Sequence, residues 1–101
     1  MPLRLYRLPV FERSRRRLGA EGMAIVGRIL EALEVYYGSN CNLEAAKTIA
    51  PRFFYKQLRK PYYEAGVESR IRIVICREGE RCFAVLAGNH DEIRRFLSRM
   101  N

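Results

Sequence analysis

The chain is 101 residues long, 49% apolar and 30% charged, with a formal charge of +8, which suits one domain spanning residues 1–101 with a modest core and excludes a second domain or a disordered tract. No apolar run approaches the roughly 18 residues that cross a membrane, and the opening Met1-Pro2-Leu3-Arg4-Leu5-Tyr6-Arg7 lacks the apolar centre of a secretory signal. Cys41, Cys76 and Cys82 form no CxxC pair, so neither a zinc site nor a disulfide framework is expected, and a reducing cytoplasm is the expected compartment.

Leu3, Leu5 and Leu8 alternate with Arg4 and Arg7, the period of a half-buried strand ending at Pro9. Val10 to Leu18 turns helical, with Phe11 and Leu18 on one face, Arg13, Arg15, Arg16 and Arg17 on the rest, and Gly19 closing it. From Gly22 to Tyr37 an apolar stripe of Met23, Val26, Ile29, Leu30, Leu33, Tyr36 and Tyr37 recurs at three- and four-residue steps, predicting a helix that stops at Gly38-Ser39-Asn40. The two helices form a hairpin whose apolar side needs a sheet to cover. Asn42 is placed to cap a short helix over Leu43–Ala50, stopped by Pro51.

Arg52 to Leu58 reads as an aromatic-rich strand that leaves at Arg59-Lys60-Pro61. The interval Pro61 to Gly66 is ambiguous between strand and loop. In Ser69 to Cys76, Ile71, Ile73 and Ile75 alternate with Arg70, Arg72 and Val74; Arg77-Glu78-Gly79-Glu80 then supplies turn chemistry before Cys82 to Ala87, a β-hairpin expected at the sheet's centre. Asn89 is placed to cap a C-terminal helix with Asp91 and Glu92 in its first turn, an apolar face of Ile93, Phe96 and Leu97, and a basic face of Arg94, Arg95 and Arg99. The order predicts an α+β fold: an N-terminal strand, a helical hairpin, a mostly antiparallel sheet of about four strands and a C-terminal helix, with the helices on one face and the other face open to a partner.

This order resembles the RelE/ParE toxin superfamily of type II toxin–antitoxin systems, RelE-like more than ParE-like. The residues that carry the resemblance are Arg72-Ile73-Val74-Ile75, then Glu78-Gly79-Glu80, a hydrophobic strand, and Ala87-Gly88-Asn89-His90-Asp91-Glu92-Ile93. It covers nearly the whole chain as a pattern. It implies an endoribonuclease that cleaves mRNA on the ribosome through the RNA 2′-hydroxyl, without metal or other cofactor. Arg72 would then contact the scissile phosphate, and His90 falls where relatives place an arginine or histidine after the last strand. Two departures stand out. Phe96 occupies the position where RelE-like members often carry a tyrosine, and some members place theirs where this chain has Asp91. The lysines that RelE-like members carry before the arginine have no clear counterpart in Lys56 and Lys60.

The residues themselves suit that chemistry. His90 is the only histidine and the only side chain whose unperturbed pKa lies near neutrality, so it is the natural acid or base; the alternative is a histidine that caps or packs at a strand–helix junction. Arg72 projects opposite Ile71 and Ile73 onto the open face, where Arg70, Arg59 or Lys60, and Lys56 would join it in clamping a phosphate; the alternative is a solvated strand position. Tyr55, Tyr62 and Tyr63 are candidates to stack on splayed bases or to pack in the core. Arg13, Arg15 and Arg16, with Arg94 and Arg95, are candidate phosphate contacts or solvated helix faces; in RelE-like toxins the former helix grips ribosomal RNA. The sixteen arginines, three lysines and eleven acids favour anionic partners, although a genome enriched in arginine gives the same bias. The partners expected are an acidic or helix-turn-helix antitoxin and mRNA on the ribosome. The alternatives are DNA gyrase as the target of a ParE-like inhibitor, a catalytically degenerate binding module, and a nucleic-acid-binding protein without toxicity.

Overall fold

The computed structural model describes residues 3–100; Met1 and Pro2 of the N-terminal alternation lie outside them. In chain order the elements are β1 (Arg4–Arg7), α1 (Pro9–Arg16), α2 (Gly19–Gly38), α3 (Leu43–Lys47), β2 (Phe54–Gln57), β3 (Tyr62–Gly66), β4 (Arg72–Glu78), β5 (Arg81–Gly88) and α4 (His90–Ser98). The strands form one five-stranded sheet in the order β1-β5-β4-β3-β2. β1 runs parallel to β5, and the other neighbours are antiparallel. The α+β class and the order of elements agree with the sequence reading, while several limits move. The ambiguous interval is strand β3, sandwiched between β2 and β4. Helix α2 begins at Gly19 rather than Gly22, α3 stops at Lys47, and β4 begins at Arg72 rather than Ser69.

The late start of β4 has a local cause. The carboxylate of Glu68 accepts hydrogen bonds from the backbone N–H groups of Arg70 and Ile71, so this stretch is folded on a side chain instead of a neighbouring strand. Its other end turns tightly at Gly79, whose φ of +64° costs a glycine little, and Glu78 then pairs with Arg81.

Alternation divides β4 between two layers. Ile73 and Ile75 are fully buried against Phe11, Val26, Ile29, Leu33 and Tyr37 of the α1–α2 hairpin, each contributing about 1.5–3 kcal/mol through burial. Arg72, Val74 and Cys76 point the other way, and their partners Gly66, Glu64 and Tyr62 on β3 share that face. Helix α1 also closes an edge. After β1 ends, Leu8 N–H still reaches the carbonyl of Ala84 (3.2 Å), and the N–H of Ala87 donates to Ser14 Oγ (2.9 Å), satisfying a backbone donor that β1 no longer covers.

The second face departs from the expectation of an open sheet. Phe96 of α4 packs edge-on against Tyr62, with ring centroids 5.3 Å apart at 89°, and Val74 and Ile93 are buried at 0% and 2% exposure, outside the core under α1 and α2. The strip of Tyr62, Val74 and Ile93 is apolar and draws α4 over that half of the sheet. What stays uncovered is the end of the face that carries Arg72. A bulge fits β5 to this arrangement. Val74 pairs with Leu86 and Ile75 with Ala84, so Val85 is the extra residue that lets Ala84 and Ala87 both face the core and still brings Gly88 beside Arg72.

Candidate active site

Four paired residues lie in a row across the sheet at its open end: Phe54 opposite Gly66, Gly66 opposite Arg72, and Arg72 opposite Gly88. The two glycines flanking Arg72 are sterically required. A Cβ on Gly66 would stand 2.7 Å from the Phe54 ring, and one on Gly88 would stand 2.8 Å from Glu92 Oε1. The arginine is thus bordered by an aromatic ring on one side and by the first turn of α4 on the other, its guanidinium carbon 5.5 Å from the Phe54 ring centroid.

Helix α4 brings His90 to the same place. Asn89 accepts the N–H of Glu92 through its side chain and Glu92 Oε1 accepts the N–H of Asn89, both at 2.9 Å. This capping box fixes how the chain leaves β5 and therefore where the next residue, His90, stands. Arg72 Nη1 lies 3.3 Å from His90 Nδ1 and 3.2 Å from Glu64 Oε1. With a guanidinium nitrogen as donor, Nδ1 accepts, and the neutral imidazole carries its proton on Nε2. His90 itself is exposed, so a ligand can reach the residue.

Glu64 underlies the arrangement. It is the one buried charged residue among those described, at 2% exposure, and its Oε1 serves both Arg72 and Lys56, whose Nζ stands at 3.6 Å. One carboxylate under two cations leaves a net positive surface above a fixed anion, which holds a guanidinium in place while leaving it able to meet a second anion. Arg72 Nε is buried without a hydrogen-bond partner among the described residues, and such a donor costs about 1–3 kcal/mol.

The structure therefore brings together Arg72, His90 and Lys56 of the residues singled out in the sequence. Arg94 follows His90 by one helical turn, about 6 Å along α4. Arg95 is exposed beside it, with Asp91, Arg94 and Ser98 around a shallow hollow of about 400 Å³. Others lie elsewhere. Arg70 is outside β4 and pairs with Glu21 of α2 (2.8 Å) and with Glu68 (3.0 Å), which hold its guanidinium firmly protonated, Glu21 most strongly. Arg59 and Lys60 sit at the β2–β3 turn, where Arg59 reaches the carbonyl of Leu97 (3.4 Å). That end of β3 is four residues from Gly66, about 13 Å from Arg72, so nearness in sequence did not become nearness in the sheet. Arg13 and Arg16 are exposed on α1, and Arg15 is held by Glu12 at 3.1 Å, all on the β5 side of the molecule.

None of the three tyrosines borders Arg72. Tyr55 and Tyr63 stack at 5.4 Å on the α2 side of the sheet, Tyr55 also shares a 2.9 Å hydrogen bond with Tyr37, and Tyr62 is engaged by Phe96. The aromatic ring at the site is Phe54. Sequence reasoning missed Glu64 and Phe54; the available signal for Glu64 was an acid set directly before the apolar run Ala65-Gly66-Val67, while its place on the face of Arg72 follows only from the register of β3 on β4.

No protein-family model matches the chain, and no curated protein matches it. Among solved structures, a copper-bound single-substitution mutant of a toxin from Helicobacter pylori superposes with a TM-score of 0.63 at 18% sequence identity, over 90% of this chain and 98% of that one. The chain has a toxin-like fold.

Proposed function

We propose that this chain is the toxin of a type II toxin–antitoxin pair, a RelE/ParE-type endoribonuclease that cuts mRNA on the ribosome through the RNA 2′-hydroxyl and needs no metal. One observation carries the reading: a guanidinium and an imidazole meet at 3.3 Å on an open surface, above a buried carboxylate. Cleavage of this kind needs a proton taken from the 2′-oxygen, charge neutralised on the phosphate and a proton given to the departing 5′-oxygen. Arg72 is the phosphate clamp, Lys56 adds charge beside it, and Glu64 holds both. A phosphate arriving at Arg72 takes over the Nη1–H now directed at His90 Nδ1, freeing that nitrogen to exchange protons with the reacting oxygens. The fold shared with a toxin and the charge of +8 support the rest of the reading, including an acidic or helix-turn-helix antitoxin that covers the basic surface.

A specific observation favours a second reading. Phe96 brings no hydroxyl to the position of the family's tyrosine and is committed to packing on Tyr62, which suits a ParE-like inhibitor of DNA gyrase or a degenerate toxin that only binds. Incubating the purified protein with translating ribosomes and mapping mRNA 5′ ends decides between them. New ends that vanish in Arg72→Ala and His90→Ala support the nuclease; intact mRNA together with early DNA damage on expression supports the gyrase inhibitor.

A further inference from the structure

Resting on the RNA-cleavage reading, we infer that Phe54 is the stacking platform for a purine base flanking the scissile phosphate, and that the hollow beside it is the base subsite. This hollow adjoins Arg72, holds about 380 Å³ and is lined by Arg52, Phe54, Glu68, Ser69 and Arg72. Its volume falls in the range of small-ligand sites, about 300–1,000 Å³. It is continuous with the phosphate clamp because Arg72 belongs to both.

The Phe54 ring is held for the task. Its edge rests on Gly66, where any side chain would displace it, and the Arg72 guanidinium lies 5.5 Å from its centroid. The ring is partly exposed, and what is accessible is an apolar surface that a flat base covers well. A base attached to the phosphate on Arg72 is within reach and has the right shape, and stacking on an aromatic ring is open to every base but strongest for the larger purine face.

The walls of the hollow also carry polar partners for the edge of a base. Glu68 is fixed as an anion: despite partial burial, hydrogen bonds from the backbone of Ile71 and Arg70 and from the Arg70 guanidinium hold its carboxyl below the usual range. That carboxylate accepts from the N–H edges of bases, while Arg52 and Ser69 offer donors to ring nitrogens and carbonyls.

The test uses the full chain and an RNA oligonucleotide made uncleavable by a 2′-deoxy sugar at the scissile position, with 2-aminopurine on one flank or the other. The inference predicts that wild type quenches the fluorescence at one flank, that Phe54→Leu loses this quenching and binds about 10- to 100-fold more weakly, and that Phe54→Tyr restores both. Equal thermal melting of the three proteins separates this from misfolding, and Phe54→Tyr carries the test if Phe54→Leu is unstable, since a loss of the wild-type quenching in a folded Phe54→Tyr overturns the platform. Cutting of mRNA on translating ribosomes by wild type, with quenching of the oligonucleotide and affinity for it unchanged in Phe54→Leu, overturns the platform alone. A wild type that neither binds the oligonucleotide nor cuts mRNA on translating ribosomes overturns the platform and the nuclease reading together.

Discussion

Arg72 on the central strand and His90 at the start of the last helix, 18 residues apart, share a hydrogen bond of 3.3 Å. Neither is placed by its own side chain's preference. Arg72 is steered by the carboxylate of Glu64 beneath it and by glycines on both sides, and His90 by the capping box that starts its helix. The consequences can be checked residue by residue.

Glu64→Gln keeps the shape of the side chain and removes its charge. Arg72 and Lys56 then face each other without a counterion. Because Lys56 is largely exposed, the loss is below that of a fully buried pair, about 1–3 kcal/mol of unfolding free energy. RNA cleavage should fall more in kcat than in KM, since the phosphate still meets two cations but the guanidinium is no longer oriented. Urea unfolding alongside steady-state cleavage of a model RNA measures both.

Gly88→Ala drives a Cβ into Glu92. The capping box opens, at a cost of about 0.5–2 kcal/mol, and His90 shifts away from Arg72. Asn89→Ala should cost stability of the same order. A thermal melt lowered in both variants, with cleavage reduced in both, is the expected outcome; full activity in Gly88→Ala would show that the first turn of α4 does not position the imidazole.

Burial, the largest influence, raises both hydroxyls of the Tyr37–Tyr55 pair, Tyr37 strongly and Tyr55 to about 12. Since the folded-state values lie above the unfolded value near 10, the stability these groups contribute is complete below pH 10 and is lost as pH rises from 10 through 12. Unfolding free energy measured across that window should decline in wild type and decline less steeply in Tyr37→Phe/Tyr55→Phe. Identical slopes would mean that the phenols ionise freely in the folded chain.

Arg13 and Arg16 are exposed on α1, a different helix from the one that carries His90. Reversing both to glutamate should leave cleavage of a short RNA within about twofold, a change below 0.5 kcal/mol, and weaken ribosome binding with a shallower salt dependence. Sedimentation with ribosomes at several salt concentrations, compared with cleavage of the free oligonucleotide, distinguishes the two surfaces.

Much of this fold was legible because hydrophobic period and caps agree locally with the final structure. The Ile71, Ile73, Ile75 alternation yielded the central hairpin, the Val26, Ile29, Leu33, Tyr37 stripe yielded α2, and Asn89 marked the start of α4. Illegibility concentrates at the site. Tyr62–Gly66 contains Glu64 and Gly66 and follows Pro61, all poor strand formers. It is a strand because β2 and β4 pair with it on both sides, and its two unfavourable residues are the ones that seat Arg72. The position of α4 was equally hidden. Its amphipathic pattern predicts a helix with one buried face, but not that this face would be laid over Tyr62 and Val74, opposite α1 and α2. Arg70 and Arg59 were misplaced for a related reason: alternation assigns a face only where the strand exists, and each lies just beyond the end of one.

The most direct test of the account is cleavage by Arg72→Lys. A lysine keeps the positive charge but has a single nitrogen, which cannot span Glu64, His90 and a phosphate in the planar geometry of a guanidinium. On translating ribosomes, 5′-end mapping should show wild-type cuts reduced about 100- to 1,000-fold in rate by Arg72→Lys and by His90→Ala, with the melting temperature of each variant near that of wild type. Cuts at the wild-type rate in either folded variant would contradict a cleavage centre built on these two residues.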